Sequence, residues 1–276
     1  MTVVKIGDIT VSNNLPYTLI AGPCQLESLD HARMLVDRIS AAAERARTSW
    51  IFKASYDKAN RSSLNGQRGL GIDEGLSILS KIKSEYAVPL LTDIHSPDQC
   101  ETAAEVVDIL QIPAFLCRQT DLLLAAGESG AAINIKKGQF LAPWDMENVA
   151  TKVASTGNKR ILLCERGTSF GYNMLVSDMR SLPIMGLTDY PVVFDATHSV
   201  QLPGGQGTSS GGQRQFVAPL ARAAVAVGSA AIFIETHQDP DNAPSDGPNM
   251  LPISQMPEIL TTLKEIDTVR KAISEI

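Results

Sequence analysis

Residues 88–111 read VPLLTDIHSPDQCETAAEVVDILQ. Two short apolar runs, at 88–91 and 107–111, flank a segment at 97–106 whose apolar residues recur at helical spacing. Short continuous apolar runs are typical of strands that are buried on both faces of a parallel sheet. The stretch therefore predicts a strand, a helix and a second strand parallel to the first.

The same alternation extends along the chain in both directions. Strands are predicted at 18–22, 50–52, 88–91, 107–111, 132–135, 160–163, 192–194 and 230–234. Helices are predicted at 28–45, 73–85, 97–106, 121–126, 144–155, 215–227 and 256–276, and the stretch before 192 is predicted to be irregular. Eight strands with this alternation favour an α/β fold of the (β/α)₈ TIM-barrel type. An open doubly wound sheet is the alternative, although no GxGxxG motif follows the first strand.

The overall composition suits one such barrel. The chain has 276 residues, which predicts a single catalytic domain over 1–276, with a short hairpin at 1–12 turned at Gly7 and Asp8. A net charge of −6 argues against nucleic acid as a partner. No apolar run is long enough for a membrane span, and no signal peptide is recognisable at the N-terminus. Four cysteines without CxxC spacing favour a reducing, cytoplasmic location.

Cationic residues follow several of the predicted strands. Active sites of TIM barrels lie at the carboxyl ends of the strands, so these residues are expected to converge. They are Lys53, Lys58, Arg61, Arg118, Lys136 and Arg166. One lysine alone is usually a solvated surface charge, but six cations at strand ends of an acidic protein favour a site for phosphate and carboxylate groups.

A second group combines sulfur, nitrogen and oxygen donors. Cys24 follows the first strand, His198 the seventh and Glu235 the eighth, while Asp246 lies in the loop after the eighth. In a closed barrel the first and eighth strands are neighbours, so these residues can converge. Such a set suits a divalent ion such as Zn²⁺, Fe²⁺ or Mn²⁺. A lone cysteine after a strand is more often a packed thiol, so this pattern alone leaves the metal site open.

Six long motifs resemble those of the 3-deoxy-D-manno-octulosonate-8-phosphate synthase family. They occur in the family's order, and the resemblance extends from about residue 18 to residue 253. The motifs are IAGPCQLES (20–28), FKASYDKANRSS (52–63), QIPAFLCRQTD (111–121), NIKKGQF (134–140), ERGTSFGY (165–172) and FDATHS (194–199).

The resemblance implies a reaction and a set of roles. Phosphoenolpyruvate would condense with D-arabinose 5-phosphate and water, without an organic cofactor, to give 3-deoxy-D-manno-octulosonate 8-phosphate and phosphate for the lipopolysaccharide inner core. Lys53, Ser55, Lys58, Lys136 and Arg166 would bind phosphoenolpyruvate, and Asn60, Arg61 and Ser62 the phosphate of the sugar. Asp93 and Gln139 are further candidates for substrate binding. The catalytic candidates are Lys53, Lys58, Lys136, His198 and Asp246. Arg118 would reach a neighbouring active site in a homotetramer.

Cys24 resembles the metal-dependent branch of the family. On that resemblance, Cys24, His198, Glu235 and Asp246 would bind the divalent metal. However, the run Asp246-Gly247-Pro248 resembles the branch that needs no metal. Two other functions are considered: a 3-deoxy-D-arabino-heptulosonate-7-phosphate synthase that uses erythrose 4-phosphate, and a barrel that binds ligands without catalysis.

Overall fold

A computed structural model describes residues 2–59, 66–204 and 211–273 of the chain. It begins with the predicted hairpin, in which β1 (Val4–Ile6) pairs antiparallel with β2 (Ile9–Val11). The later strands are β3 (Thr18–Gly22), β4 (Trp50–Lys53), β5 (Leu90–Asp93), β6 (Ile109–Ile112), β7 (Ala132–Lys136), β8 (Ile161–Glu165), β9 (Thr168–Ser169), β10 (Leu175–Val176), β11 (Val192–Asp195), β12 (Gln201–Leu202), β13 (Gly211–Gly212), β14 (Ala231–His237) and β15 (Leu251–Pro252).

Eight of these strands form a closed parallel barrel. Their order around the barrel is β3, β4, β5, β6, β7, β8, β11 and β14. Closure results from β14, which pairs in parallel with both β11 and β3. The predicted (β/α)₈ barrel is thereby confirmed, and the open sheet is excluded.

A helix follows each barrel strand. The helices are α1 (Leu29–Ala46), α2 (Ile72–Tyr86), α3 (Gln99–Ala104), α4 (Thr120–Glu128), α5 (Met146–Ala154), α6 (Ser181–Gly186), α7 (Val217–Val227) and α8 (Met256–Ala272). Ser28 caps α1 by accepting a hydrogen bond from the backbone N–H of His31. Within the described ranges, no helix is long and apolar enough to cross a membrane.

The prediction of an irregular stretch before 192 was incomplete. Residues 168–176 form the small β9–β10 ribbon, and α6 follows it. This helix has six residues and contains Pro183, so it is too short to repeat an apolar spacing that a sequence pattern would reveal.

The barrel strands alternate between two apolar clusters. Ile20, Ile51 and Phe233 belong to the inner cluster, which the hairpin residues Val4 and Ile6 also join. Neighbouring positions on the same strands belong to the larger cluster covered by the helices; they include Leu19, Ala21 and Phe52. Successive side chains of a strand point to opposite faces, which explains this division.

The same period of two makes the carboxyl end of the barrel interior polar. The side chain two residues after an inner apolar residue points into the barrel again. On several strands this side chain is polar and buried. These are Lys53, Asp93, Gln111, Asn134, Asp195 and Glu235. The apolar layer therefore forms the floor of a polar chamber at the end of the barrel where active sites of this fold lie.

Gly22, the last residue of β3, lies against the backbone of β4. A Cβ atom at this position would lie 1.9 Å from the carbonyl oxygen of Lys53. We expect Gly22→Ala to lower the free energy of unfolding by roughly 3 kcal/mol, since the strand must shift to admit the methyl group. Unfolding in urea measures this loss.

Gly186→Ala is the matched control. A Cβ atom there would meet only the side-chain amide of Asn13, at 3.9 Å. Its effect is expected to stay below about 1 kcal/mol. Equal stabilities for the two alanine variants would contradict the close approach at Gly22.

Candidate active site

A chain of hydrogen bonds crosses four neighbouring strand ends. Ser55, just after β4, donates to a carboxylate oxygen of Asp93 on β5. Gln111 Nε2 on β6 donates to the other oxygen of Asp93 at 2.5 Å, and Asn134 Nδ2 on β7 donates to Gln111 Oε1 at 2.8 Å. These hydrogen bonds fix the orientation of each side chain along one wall of the chamber.

The lysines of the chamber are paired with carboxylates. The pairs are Lys53 with Glu235 (2.5 Å), Lys58 with Asp93 (3.3 Å), Lys136 with Asp195, and Lys137 with Glu165 (3.6 Å). Burial alone would raise the pKa of Asp93, but Lys58 and Lys53 hold it well below its usual value. In the same way burial opposes the charge of Glu235, yet Lys53 lowers its pKa. Asp93 and Glu235 are therefore ionised and available as hydrogen-bond acceptors or ligands.

Arg166 differs from these lysines. Its side chain is buried, and among the described residues no carboxylate oxygen lies within 4.0 Å of its guanidinium nitrogens. Its Nη2 atom donates to Gln201 Oε1 at 3.0 Å, whereas its buried Nη1 atom has no partner among the described residues. A buried guanidinium without a paired anion is a binding group for a phosphate or carboxylate of a ligand.

Asp195 orients His198. Asp195 Oδ2 lies 2.7 Å from His198 Nδ1, and its Oδ1 accepts the backbone N–H of His198 at 2.9 Å. His198 Nε2 faces Glu235 Oε2 at 3.6 Å and Asp246 Oδ2 at 3.7 Å. A proton on Nδ1, held by Asp195, leaves the lone pair of Nε2 directed at those two carboxylates. This is the arrangement by which carboxylates commonly orient metal-binding histidines.

Three of the four predicted ligands form one cluster, and His198 faces two of its members, Glu235 and Asp246. Cys24 Sγ lies 3.1 Å from Asp246 Oδ2, and the ligand atoms of Cys24, Glu235 and Asp246 lie within 4.8 Å of one another. Glu235 Oε2 is buried and has no hydrogen-bond partner within the described residues. Burial and the charge of Glu235 raise the pKa of the Cys24 thiol, an effect that a bound cation would reverse. The donors present therefore fit a divalent transition metal.

A second cluster, formed by Glu27, His31 and His237, fits a metal less well. Its ligand atoms also lie within 4.8 Å of one another. However, His237 Nδ1 accepts the backbone N–H of Asp239 at 3.0 Å. The proton of a neutral His237 is then on Nε2, where it is donated to Glu27 Oε1 at 2.8 Å. Within this cluster only His31 keeps a free imidazole lone pair, so its donors fit a metal less well than those of the Cys24 cluster.

Most of the predicted site residues lie in this chamber. The structure brings together Cys24, Lys53, Ser55, Lys58, Asp93, Lys136, Arg166, His198, Glu235 and Asp246. Gln139 is buried in the loop after β7, and its Oε1 atom has no partner among the described residues. Arg118 is exposed, beyond the turn that follows β6. Asn60, Arg61 and Ser62 lie outside the described residues.

Several residues of the chamber were given no role from the sequence, among them Asp195, Lys137 and Gln201. Asp195 orients His198, and its position at a strand end was the available signal. Lys137 is fully buried, and its ammonium donates to Leu141 O at 3.2 Å and Thr168 Oγ1 at 3.0 Å, which ties together the loops after β7 and β8. Gln201, in β12, contacts Arg166 and Asp246. It follows no barrel strand directly, so no sequence pattern pointed to it.

Comparisons with known proteins agree with this geometry. The model of the DAHP synthetase I family matches residues 1–272. Three relatives carry the name 2-dehydro-3-deoxyphosphooctonate aldolase, which is another name for 3-deoxy-8-phosphooctulonate synthase. The relative from Granulibacter bethesdensis is 63% identical over 270 residues, which cover 98% of this chain and 96% of the relative. The relative from Bartonella quintana is 60% identical, and the match covers 99% of this chain and 98% of the relative. The relative from Bartonella henselae is 61% identical, and the match covers 98% of this chain and 96% of the relative.

These matches span nearly the whole of both partners in each comparison, and the resemblance that the six motifs indicated is thereby confirmed. The chain therefore belongs to the DAHP synthetase I family, in which its relatives named above are 2-dehydro-3-deoxyphosphooctonate aldolases.

Proposed function

We propose that this chain condenses phosphoenolpyruvate with D-arabinose 5-phosphate and water, giving 3-deoxy-D-manno-octulosonate 8-phosphate and phosphate. The observation that carries the proposal is the convergence of Lys53, Lys136 and Arg166 with the Cys24 cluster at the carboxyl end of the barrel. The full-length similarity to relatives named for this product supports the choice of sugar acceptor. The product is a precursor of the lipopolysaccharide inner core.

Binding of phosphoenolpyruvate requires cations, because its phosphate and carboxylate are both charged. Arg166 is suited to hold one of these groups through two parallel hydrogen bonds, since its Nη1 atom has no partner in the described protein. Lys53 and Lys136 contribute positive charge lower in the chamber, where Lys136 Nζ also lies 3.9 Å from the centre of the Phe233 ring. Ser55 and Lys58 continue this surface toward Asp93.

The reaction forms a carbon–carbon bond at C3 and a carbon–oxygen bond between C2 and water, and it breaks the carbon–oxygen bond between C2 and phosphate. C3 of phosphoenolpyruvate attacks the aldehyde carbon of the sugar, water adds at C2, and phosphate leaves C2. The aldehyde oxygen gains a proton while the attacking water loses one, so the site must move protons. We propose His198 and Asp246 for this role, because each lies within the charged network of the chamber. No Schiff-base lysine is needed, because an enol phosphate is already an activated nucleophile.

The proposed cofactor is a divalent metal such as Zn²⁺, Fe²⁺ or Mn²⁺, held by Cys24, His198, Glu235 and Asp246. A bound divalent ion supplies Lewis-acid stabilisation for negative charge that develops on oxygen. Lys53 supports this cluster from below, since its ammonium donates to the carbonyl oxygen of Cys24 at 2.8 Å and contacts Glu235.

We also propose that the chain acts in the cytoplasm as a homotetramer in which Arg118 reaches a neighbouring active site. The exposure of Arg118 supports the crossing, because the side chain is accessible to another subunit. The four cysteines are free and buried, which suits a reducing compartment.

The choice of acceptor is tested by phosphate release from phosphoenolpyruvate in the presence of each sugar phosphate. We expect kcat/KM with arabinose 5-phosphate to exceed that with erythrose 4-phosphate by roughly 100-fold or more, since a site built to bind the longer sugar leaves polar groups unpaired with the shorter one. Preference for erythrose 4-phosphate would indicate the heptulosonate reaction. No release with either sugar would indicate a barrel that binds without catalysis.

The metal is tested by exhaustive chelation followed by titration with Zn²⁺, Fe²⁺ or Mn²⁺. Chelation is expected to remove most of the activity, and one of the ions to restore it. Cys24→Asn should bind the ion about 10-fold to 100-fold more weakly in a competition assay with a chromogenic chelator, because the thiolate ligand is lost. Cys100→Ser, which alters a buried thiol on α3, is the control. Full activity after chelation would refute the assignment.

The crossing of Arg118 is tested by mixing two inactive variants, Arg118→Ala and Lys136→Met. If Arg118 serves a neighbouring site, mixed oligomers contain some sites in which both residues are intact. Equal mixing should then restore about a quarter of the wild-type rate of phosphate release, the product of two one-half probabilities in a closed symmetric oligomer. If Arg118 serves its own subunit, every site keeps one defect and the mixture stays inactive.

A further inference from the structure

Gln201 connects the phosphate-binding cation to the metal-binding cluster. Its Oε1 atom accepts a hydrogen bond from Arg166 Nη2 at 3.0 Å. Its Nε2 atom donates to Asp246 Oδ1 at 3.1 Å. The two neighbours fix the orientation of the amide, because a guanidinium can only donate and a carboxylate can only accept. The amide oxygen and the amide nitrogen of Gln201 are therefore both hydrogen-bonded.

The neighbours of this amide carry opposite charges in a buried site. Burial lowers the pKa of the Arg166 guanidinium, whereas the charge of Asp195 and then that of Asp246 raise it, so Arg166 and Asp246 attract each other. A direct ion pair between them would be favourable in such surroundings and would be bidentate. It would also neutralise the one cation of the chamber that has no carboxylate partner within the described residues, and it would turn Asp246 away from Cys24.

We propose that Gln201 is a positioning residue that keeps Arg166 and Asp246 apart. Its neutral amide satisfies one hydrogen-bonding group of each residue without cancelling the charge of either. Arg166 thereby keeps its Nη1 edge for an anionic group of phosphoenolpyruvate, and Asp246 keeps its Oδ2 atom 3.1 Å from Cys24 Sγ. This inference rests on the proposed function, since it assigns Arg166 to substrate binding.

The backbone of Gln201 has a separate structural role. Gln201 is in register with Gly212 in the β12–β13 ribbon. A side-chain substitution leaves those backbone hydrogen bonds available, so the effect of the amide can be measured without removing the ribbon.

The first test measures binding of phosphoenolpyruvate to metal-free protein by isothermal titration calorimetry. Gln201→Met keeps the length of the side chain but removes both hydrogen bonds, and we expect it to raise the Kd about 10-fold or more. Gln201→Glu should bind at least as weakly, because the new carboxylate pairs with Arg166 directly. Gln255→Met makes the same chemical change at an exposed position before α8 and should leave the Kd unchanged.

The second measurement separates the proposed spacing from a general loss of packing. If Gln201 acts by preventing an Arg166–Asp246 ion pair, loss of its amide should have little effect once a neutral residue replaces Asp246. In the Asp246→Asn background, Gln201→Met should therefore change the Kd of phosphoenolpyruvate less than about threefold. An equally large effect in both backgrounds would overturn the proposal, as would a Gln201→Met variant that binds like wild type. Failure of the wild-type protein to bind phosphoenolpyruvate would instead overturn the proposed function.

Discussion

The pairing of buried charges inside the barrel is the constraint on which the site depends. Two ion pairs, Lys53 with Glu235 and Lys136 with Asp195, are nearly inaccessible to water, so removal of either partner leaves a costly unpaired charge. Each pair joins two strands that are separated by one other strand of the barrel. A site made in this way is stable before any substrate binds, and a ligand meets charges that are already oriented.

The geometry of β-strands determines where those charges lie. Side chains alternate across a strand, so Ile51 belongs to the apolar floor and Lys53, two positions later, enters the chamber. For this reason the eight strands, their parallel arrangement and most of the cationic residues could be predicted from apolar runs and the residues that follow them. The short helix α6 could not, because six residues provide too little periodicity to distinguish a helix from a loop.

Contacts between residues distant in the chain were less accessible to sequence reasoning. The spacing of Cys24, His198, Glu235 and Asp246 has no pattern of its own, so the residues alone left the metal site open and the family resemblance supplied the ligand set. Gln201 lies 35 positions from Arg166 and 45 from Asp246, and nothing in its local sequence distinguishes it from an ordinary loop glutamine. Its bridge exists only because closure of the barrel brings the loops after β8, β11 and β14 together.

The run Asp246-Gly247-Pro248 has a structural explanation that is independent of any metal. Asp246 has a left-handed backbone conformation, with φ of 52°, which is uncommon for residues other than glycine and is tolerated best by Asp and Asn. At Gly247 a Cβ atom would lie 2.3 Å from the carbonyl oxygen of Pro240, so packing requires glycine there. The tight turn directs the Asp246 carboxylate toward Cys24 and Gln201. Backbone packing therefore accounts for this run without reference to a metal.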